Sequence, residues 1–171
     1  MTPPLFGIVG WKNSGKTTLT SRLIAELTRR GYKVAAVKHA HHGFDVDQPG
    51  RDSYKFREAG AREVAVVSGK RVAVMHELRD ELEPPLEDVL KRLGGSDLIL
   101  IEGFKRHHHP KIETRRREAV QQDALGEEFP GIVAIASDHE VETGEVPVFA
   151  LDDVAAIAGF IIRHLRIEKS Q

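Results

Sequence analysis

Nine residues near the start of the chain, Gly10-Trp11-Lys12-Asn13-Ser14-Gly15-Lys16-Thr17-Thr18, constrain its fold more than any other segment. They match G-x-x-x-x-G-K-[ST], a phosphate-binding loop, and the flanking sequence strengthens the match. Residues 5–9 form a short apolar run between Pro4 and Gly10, the pattern of a strand buried on both faces. Leu19, Leu23, Ile24 and Leu27 then recur at helical spacing as far as Gly31. Gly10 and Gly15 allow the loop to wrap an anion with its N–H groups inward, and the following helix adds its positive end. Gly10, Asn13, Ser14, Gly15, Lys16, Thr17 and Thr18 are therefore the candidate nucleotide-binding residues. Lys16 would neutralise the β- and γ-phosphates and act in catalysis, Thr17 would give its hydroxyl to Mg²⁺, and Thr18 would bond the α-phosphate region.

Further along, strand and helix patterns alternate, which predicts an α/β domain with a mostly parallel sheet in the three-layer arrangement of P-loop NTPases. Residues 32–38 read as a second strand, 53–59 as a short helix, and 64–68 and 71–77 as an antiparallel hairpin turned at Gly69-Lys70 and appended to the sheet. A helix follows Pro84-Pro85, and Asp97-Leu-Ile-Leu-Ile-Glu102-Gly103 is the most emphatic strand of the chain. Residues 132–136 and 146–151 complete the strands, and 154–165 form a last amphipathic helix. Residues 105–131 give no clear pattern. With 171 residues, the chain is expected to be a single nucleotide-binding domain.

A triphosphate site needs a carboxylate near the metal, at the C-terminal edge of a neighbouring strand. Glu102 stands there, as a candidate for catalysis and for Mg²⁺; Asp97 opens the same strand, ~16 Å away at about 3.3 Å per residue, and is read as a capping or surface residue. The loop 39–53 also leaves a strand at that edge, and its Asp45 and Asp47, two apart on extended chain, are further candidate metal ligands. Asp52 or Ser53 is expected to cap the next helix. Asp138 ends another apolar strand, where a carboxylate can accept the paired ring and amino hydrogens of guanine and so favour GTP over ATP. Histidines cluster at His39, His41 and His42 and again at His107, His108 and His109; the second set lies between cations and is read as an exposed polar loop able to meet phosphate, with metal binding as the alternative.

Charge narrows the function classes. Lys plus Arg number 25 against 26 Asp plus Glu, a net charge of −1 that gives no basic excess for nucleic acid. The balance is uneven, since residues 105–117 carry +5 and residues 118–145 carry −8; such runs are read as solvated faces, with a site for an anionic ligand or partner in 105–117 as the alternative. The absence of cysteine excludes disulfides and thiolate metal sites and fits a cytoplasmic location, and no apolar stretch is long enough to suggest membrane insertion.

Taken together, G-W-K-N-S-G-K-T-T, V-K-H-A-H-H-G-F-D-V-D-Q-P-G-R-D-S-Y-K-F-R-E-A-G-A, D-L-I-L-I-E-G-F-K, P-K-I-E and A-I-A-S-D resemble the MobB family, the molybdopterin-guanine dinucleotide biosynthesis adapter proteins, over roughly residues 5–160. The resemblance implies a P-loop GTP-binding fold, usually dimeric, with weak GTP hydrolysis. It further implies a role assisting the guanylyltransferase that joins GMP to molybdenum-bound molybdopterin, with that enzyme, molybdopterin or a molybdoenzyme as partners. It places residues 10–18 on the triphosphate, Asp45, Asp47 and Glu102 near the phosphates and metal, and Asp138 on guanine. Related dimeric NTPases carry a second signature lysine just after the first glycine of the loop; Trp11 stands there, so no lysine reaching across a dimer is inferred. Two other functions share the loop: a small-molecule kinase, expected to prefer ATP, and a metallochaperone GTPase, suggested by the histidines.

Overall fold

The computed structural model describes residues 2–40 and 43–168. The chain divides into two compact units, one formed by Met1–His39 with Leu90–Gln171 and the other by Ala40–Val89.

The first unit is built on a six-stranded parallel sheet. Its strands are β1 (Leu5–Gly10), β2 (Val34–Lys38), β5 (Leu98–Glu102), β6 (Lys111–Arg115), β7 (Ile132–Ser137) and β8 (Val148–Ala150), in the spatial order β2-β5-β1-β6-β7-β8. Helices α1 (Lys16–Arg29) and α4 (Val154–Leu165) cover one face. Leu19, Leu23 and Leu27 of α1 and Ile157, Ala158 and Ile161 of α4 pack there with Phe6, Ile8, Leu98, Leu100, Ile112, Ala134 and Ala136. Each fully buried Leu or Ile contributes roughly 1.5–3 kcal/mol relative to exposure. Because side chains alternate across a strand, Val9 faces the other way, and there Leu125, Phe129, Trp11 and Ile132 cover it. Asp153 caps α4 by accepting from Ala156 N at 3.0 Å. Asp97 ties the approach to β5 to that of β2, its carboxylate accepting from Lys33 N at 2.6 Å, and it stands away from the loop as the reading of a capping or surface residue expects.

β6 lies in the stretch that gave no pattern. Its sequence, Lys-Ile-Glu-Thr-Arg, holds one apolar residue, yet Lys111, Ile112, Glu113 and Thr114 are at most 2% exposed. Each buried polar side chain from Lys111 to Thr114 has a partner, whereas Arg115 Nε at the end of the strand is buried without one. Lys111 Nζ donates to the carbonyls of Pro130, at 2.8 Å, and His107. Glu113 accepts from Leu125 N at 3.0 Å and pairs with Arg115 at 2.9 Å, and Thr114 Oγ1 donates to Val9 O at 3.1 Å. Hydrophobic periodicity cannot detect a strand buried by satisfied polar groups.

In the second unit, helix α2 (Asp52–Glu58) packs against β3 (Glu63–Val67), which pairs antiparallel with β4 (Val72–His76). The expected hairpin is present, but it forms a two-stranded sheet of its own rather than an extension of the parallel one. Nor do Asp52 or Ser53 cap α2. Arg51 holds the N-cap position without a side-chain bond, and Ser53 Oγ donates to Asp47 Oδ1 at 3.0 Å instead. A one-and-a-half-turn helix, α3 (Leu86–Leu90), follows the proline pair. Among the described residues no helix is long and apolar enough to cross a membrane.

Candidate functional site: a phosphate cradle at the sheet edge

The connection leaving β1 turns toward β2, and that leaving β6 turns the opposite way, toward β7. Between two neighbouring parallel strands whose connections diverge, the C-terminal edge opens into a crevice, and residues 10–18 occupy it. A Cβ on Gly10 would collide with Ser14 Oγ and Thr114 Oγ1 and stand 2.7 Å from the Thr114 carbonyl, so the close approach of loop to β6 requires glycine. Gly15 takes φ 91° at the N-cap of α1, a left-handed conformation that leaves the first N–H groups of the helix without a side-chain cap and free to meet an anion. Asn13 also has positive φ, 65°. A 2.7 Å hydrogen bond between Ser14 Oγ and Thr114 Oγ1, both buried, ties the loop to β6.

The charged groups gather at its rim. Lys16 Nζ donates to Trp11 O at 2.7 Å, held across the loop. Burial lowers its pKa; Glu102 opposes that shift, while Lys105 and Lys38 add to it. Thr17 Oγ1 donates to Glu102 Oε1 at 2.9 Å, and Lys38 Nζ stands 3.6 Å from the same oxygen. A hydroxyl and a buried carboxylate side by side make a hard oxygen donor set that suits Mg²⁺. The structure thus brings together Gly10, Asn13, Ser14, Gly15, Lys16, Thr17, Thr18 and Glu102. Asn13, Gly15, Lys16, Thr17, Thr18 and Glu102 line a cleft of about 510 Å³.

Asp138 lies on an adjoining cleft of about 450 Å³, with Ser137, Leu151, Asp152 and Arg22. Gly15, Thr18 and Arg116 line both. The Asp138 carboxylate accepts from His139 Nδ1 at 2.7 Å and Arg117 N at 3.0 Å, and these bonds, His139 first, hold its pKa below the usual carboxylate value.

Asp45 and Asp47 belong to the second unit, where Arg57 is the hub. Its guanidinium donates to both Asp45 oxygens at 2.9 and 3.2 Å and to Glu77 at 2.6 Å, and it stands 3.5 Å from Asp47 Oδ2. Arg57 is the main reason the pKa of Asp45 is lowered. His41 and His42 lie outside the described residues. The second histidine run is only partly the exposed loop expected: His108 is exposed and His107 half-buried. His109 is buried, its Nδ1 3.0 Å from that of His107. Among the described residues no group of three or more His, Asp or Glu is arranged to hold a metal ion.

Two residues that the sequence offers only as part of the basic segment 105–117 stand out individually in the structure. Arg116 came from the stretch without pattern. Lys105 places its ammonium 4.0 Å above the Trp11 ring and 5.6 Å from that of Phe129, a cation–π arrangement beside the loop. Neither pairing leaves a signal in local spacing.

A parallel sheet with this loop in its diverging crevice, a lysine and threonine at the head of the next helix and a carboxylate at the end of the adjacent strand define the P-loop NTPase class of fold. The model of the MobB family, molybdopterin guanine dinucleotide synthesis protein B, matches residues 5–138, and the chain belongs to that family. It is 38% identical over 165 residues to the molybdopterin-guanine dinucleotide biosynthesis adapter protein of Escherichia coli (strain K12), covering 95% of this chain and 94% of the relative. To the protein of the same name in Haemophilus influenzae it is 35% identical, covering 92% and 87%. Among solved structures, a molybdopterin-guanine biosynthesis protein B superposes with a TM-score of 0.74 at 31% identity, covering 95% of this chain and 99% of that one. A MobB protein homolog from Bacillus stearothermophilus gives 0.72 at 27%, covering 95% and 97%.

Proposed function

We propose that this chain is a GTP-binding adapter of molybdopterin guanine dinucleotide biosynthesis, with weak GTPase activity, that assists a partner guanylyltransferase. Its relatives are named as adapters of that pathway, and guanine nucleotide is a chemical component of the product. The observation that carries the nucleotide reading is the cradle itself: Lys16, the Thr17–Glu102 pair and the uncapped start of α1 converge on one cleft.

In this reading the N–H groups of residues 13–18 and the Lys16 ammonium bind the phosphates. Lys16 leaves the Trp11 carbonyl to do so, and the phosphate charge restores the proton affinity that burial removes. Thr17 and Glu102 would hold Mg²⁺, which when bound spreads the charge of the phosphates. Asp138 presents its carboxylate to the guanine edge from the adjoining cleft. Among the described residues that line the phosphate cleft there is no glutamine to orient a water, and slow hydrolysis is expected.

Calorimetry with Mg²⁺ against GTP and ATP tests the reading. GTP binding is expected to exceed ATP binding, and Lys16→Ala should weaken it by about 10–100-fold, the equivalent of one strong charged hydrogen bond. Equal affinity for the two nucleotides, with rapid phosphate transfer to an acceptor, would favour a kinase instead. No binding of either would end the nucleotide reading.

A further inference from the structure

The loop accounts for the phosphates on one side, with Thr18 at the α-phosphate, and Asp138 for the base; no cationic side chain is yet assigned to the α-phosphate between them. Any ligand spanning both clefts passes Gly15 and Thr18, and the side chain standing with them on both walls is Arg116. Resting on the nucleotide reading above, we propose that Arg116 grips the α-phosphate of the bound nucleotide, releasing Glu118 to do so.

Position supports this. Arg116 follows β6, two residues beyond the Thr114 that is bonded to Ser14, so it leaves the sheet beside the cradle. The backbone around it is fixed. Arg117 N donates to Asp138 Oδ1, Ala119 N donates to Arg116 O at 2.9 Å, and the Gln122 amide donates to the carbonyls of Arg116, Arg117 and Ala119 at 3.0–3.2 Å. The guanidinium is held lightly by comparison. It pairs at 3.0 Å with Glu118, whose side chain is 74% exposed, and its Nε stands 3.9 Å from Asp138 Oδ2. An exposed pair of this kind is worth at most about 1 kcal/mol.

Glu118 also lines the phosphate cleft, where its carboxylate occupies the arginine as a phosphate would. A phosphate carries more charge, and its oxygens match the planar fork of a guanidinium, so it displaces the carboxylate. Asp138 then does two things at once, since it faces the base cleft and anchors the turn that carries Arg116.

The contact has a distinct signature, because GTP, GDP and GMP share the α-phosphate. Calorimetry on the full chain, with GMP measured by competition against a fluorescent GDP, should show Arg116→Ala weakening all three by a similar factor of about 10–100-fold. Arg116→Lys should recover little, since an ammonium lacks the fork. Glu118→Gln should tighten all three by about 2–5-fold. Lys16→Ala, in contrast, should weaken GTP and GDP far more than GMP. Arg116→Gln serves if the alanine variant lacks the wild-type circular dichroism spectrum. The proposal fails if the Arg116 variants bind all three within about twofold of wild type, or lose GTP while keeping GMP. If the wild-type chain binds none of the three, it is the nucleotide reading that has failed; if Lys16→Ala weakens GTP and the Arg116 variants do not, only this inference has.

Discussion

β5 and β6 flank β1 on either side and are buried to nearly the same degree, yet they are made of opposite materials. In β5, Leu98, Ile99, Leu100 and Ile101 are fully buried and owe their place to the removal of apolar surface from water. In β6 the central positions are Lys111, Ile112, Glu113 and Thr114, and polar partners hold all but one of them. The two also deliver different things to the site. β5 ends in one carboxylate, Glu102, whereas β6 supplies Thr114 to the loop and then Arg116 to both clefts. An apolar strand tolerates changes that keep its volume; a polar one depends on each partner, because an unpaired buried charge costs more than a lost methyl group.

That contrast is broken most directly at Glu113. Glu113→Ala removes the acceptor of Leu125 N and strands Arg115, whose Nε already lacks a partner, and should cost ~3–5 kcal/mol in urea unfolding. Leu100→Ala in β5 should cost ~2–5 kcal/mol through a cavity. The sharper test is the second change. Adding Arg115→Met to Glu113→Leu should recover part of the loss, because both charges are then gone, whereas no second change is expected to offset the cavity in β5. Losses in β6 that simply add would show its polar groups to be independent and the contrast to be false.

Smaller in stability but closer to the site is Thr114→Val. The shape is kept while the hydroxyl that joins Ser14 Oγ to Val9 O is lost, leaving the buried Ser14 Oγ without that partner at a cost of ~1–3 kcal/mol. The loop loses its fastening to β6, so nucleotide affinity should fall as well. An equally stable variant with unchanged GTP affinity would reduce Thr114 to a packing residue.

These two strands also show what could be read in the sequence. β5 was legible because its four branched residues announce burial, and the loop after β1 because glycine, lysine and threonine are each required at a fixed spacing. The parallel sheet, the hairpin and the last helix follow from the same patterning. β6 was hidden because every sign of its burial is a partner far off in sequence: Val9, Leu125 and Pro130 have no fixed spacing from residues 111–114. With β6 went Arg116 and the Lys105–Trp11 contact, and the buried His109 was read as exposed for the same reason. Helix α2 failed in a smaller way, since Ser53 fits the pattern of a cap but donates its hydroxyl to Asp47.

The polar strand leaves a final trace in the pH dependence of stability. Burial pushes the pKa of Lys111 from 10.5 down to about 8, and burial with the charges of Lys111 and His107 pushes His109 from 6.5 down to about 4. Both groups bind fewer protons folded than unfolded within those intervals, so unfolding takes up protons, and each adds stability as pH rises. His109 contributes between about pH 4 and 6.5, Lys111 between about 8 and 10.5, and neither between 6.5 and 8. Lys111→Met should therefore flatten the alkaline limb of a plot of unfolding free energy against pH. It should shrink the acid limb too, since removing the ammonium lets the pKa of His109 move back toward 6.5. The apolar substitution Ile99→Val in β5 changes no charge and should shift the whole plot without altering its shape. Parallel plots for wild type and Lys111→Met would show that the Lys111 ammonium is solvated in the folded chain, and that β6 is not the polar counterpart of β5 that its carbonyl partners make it.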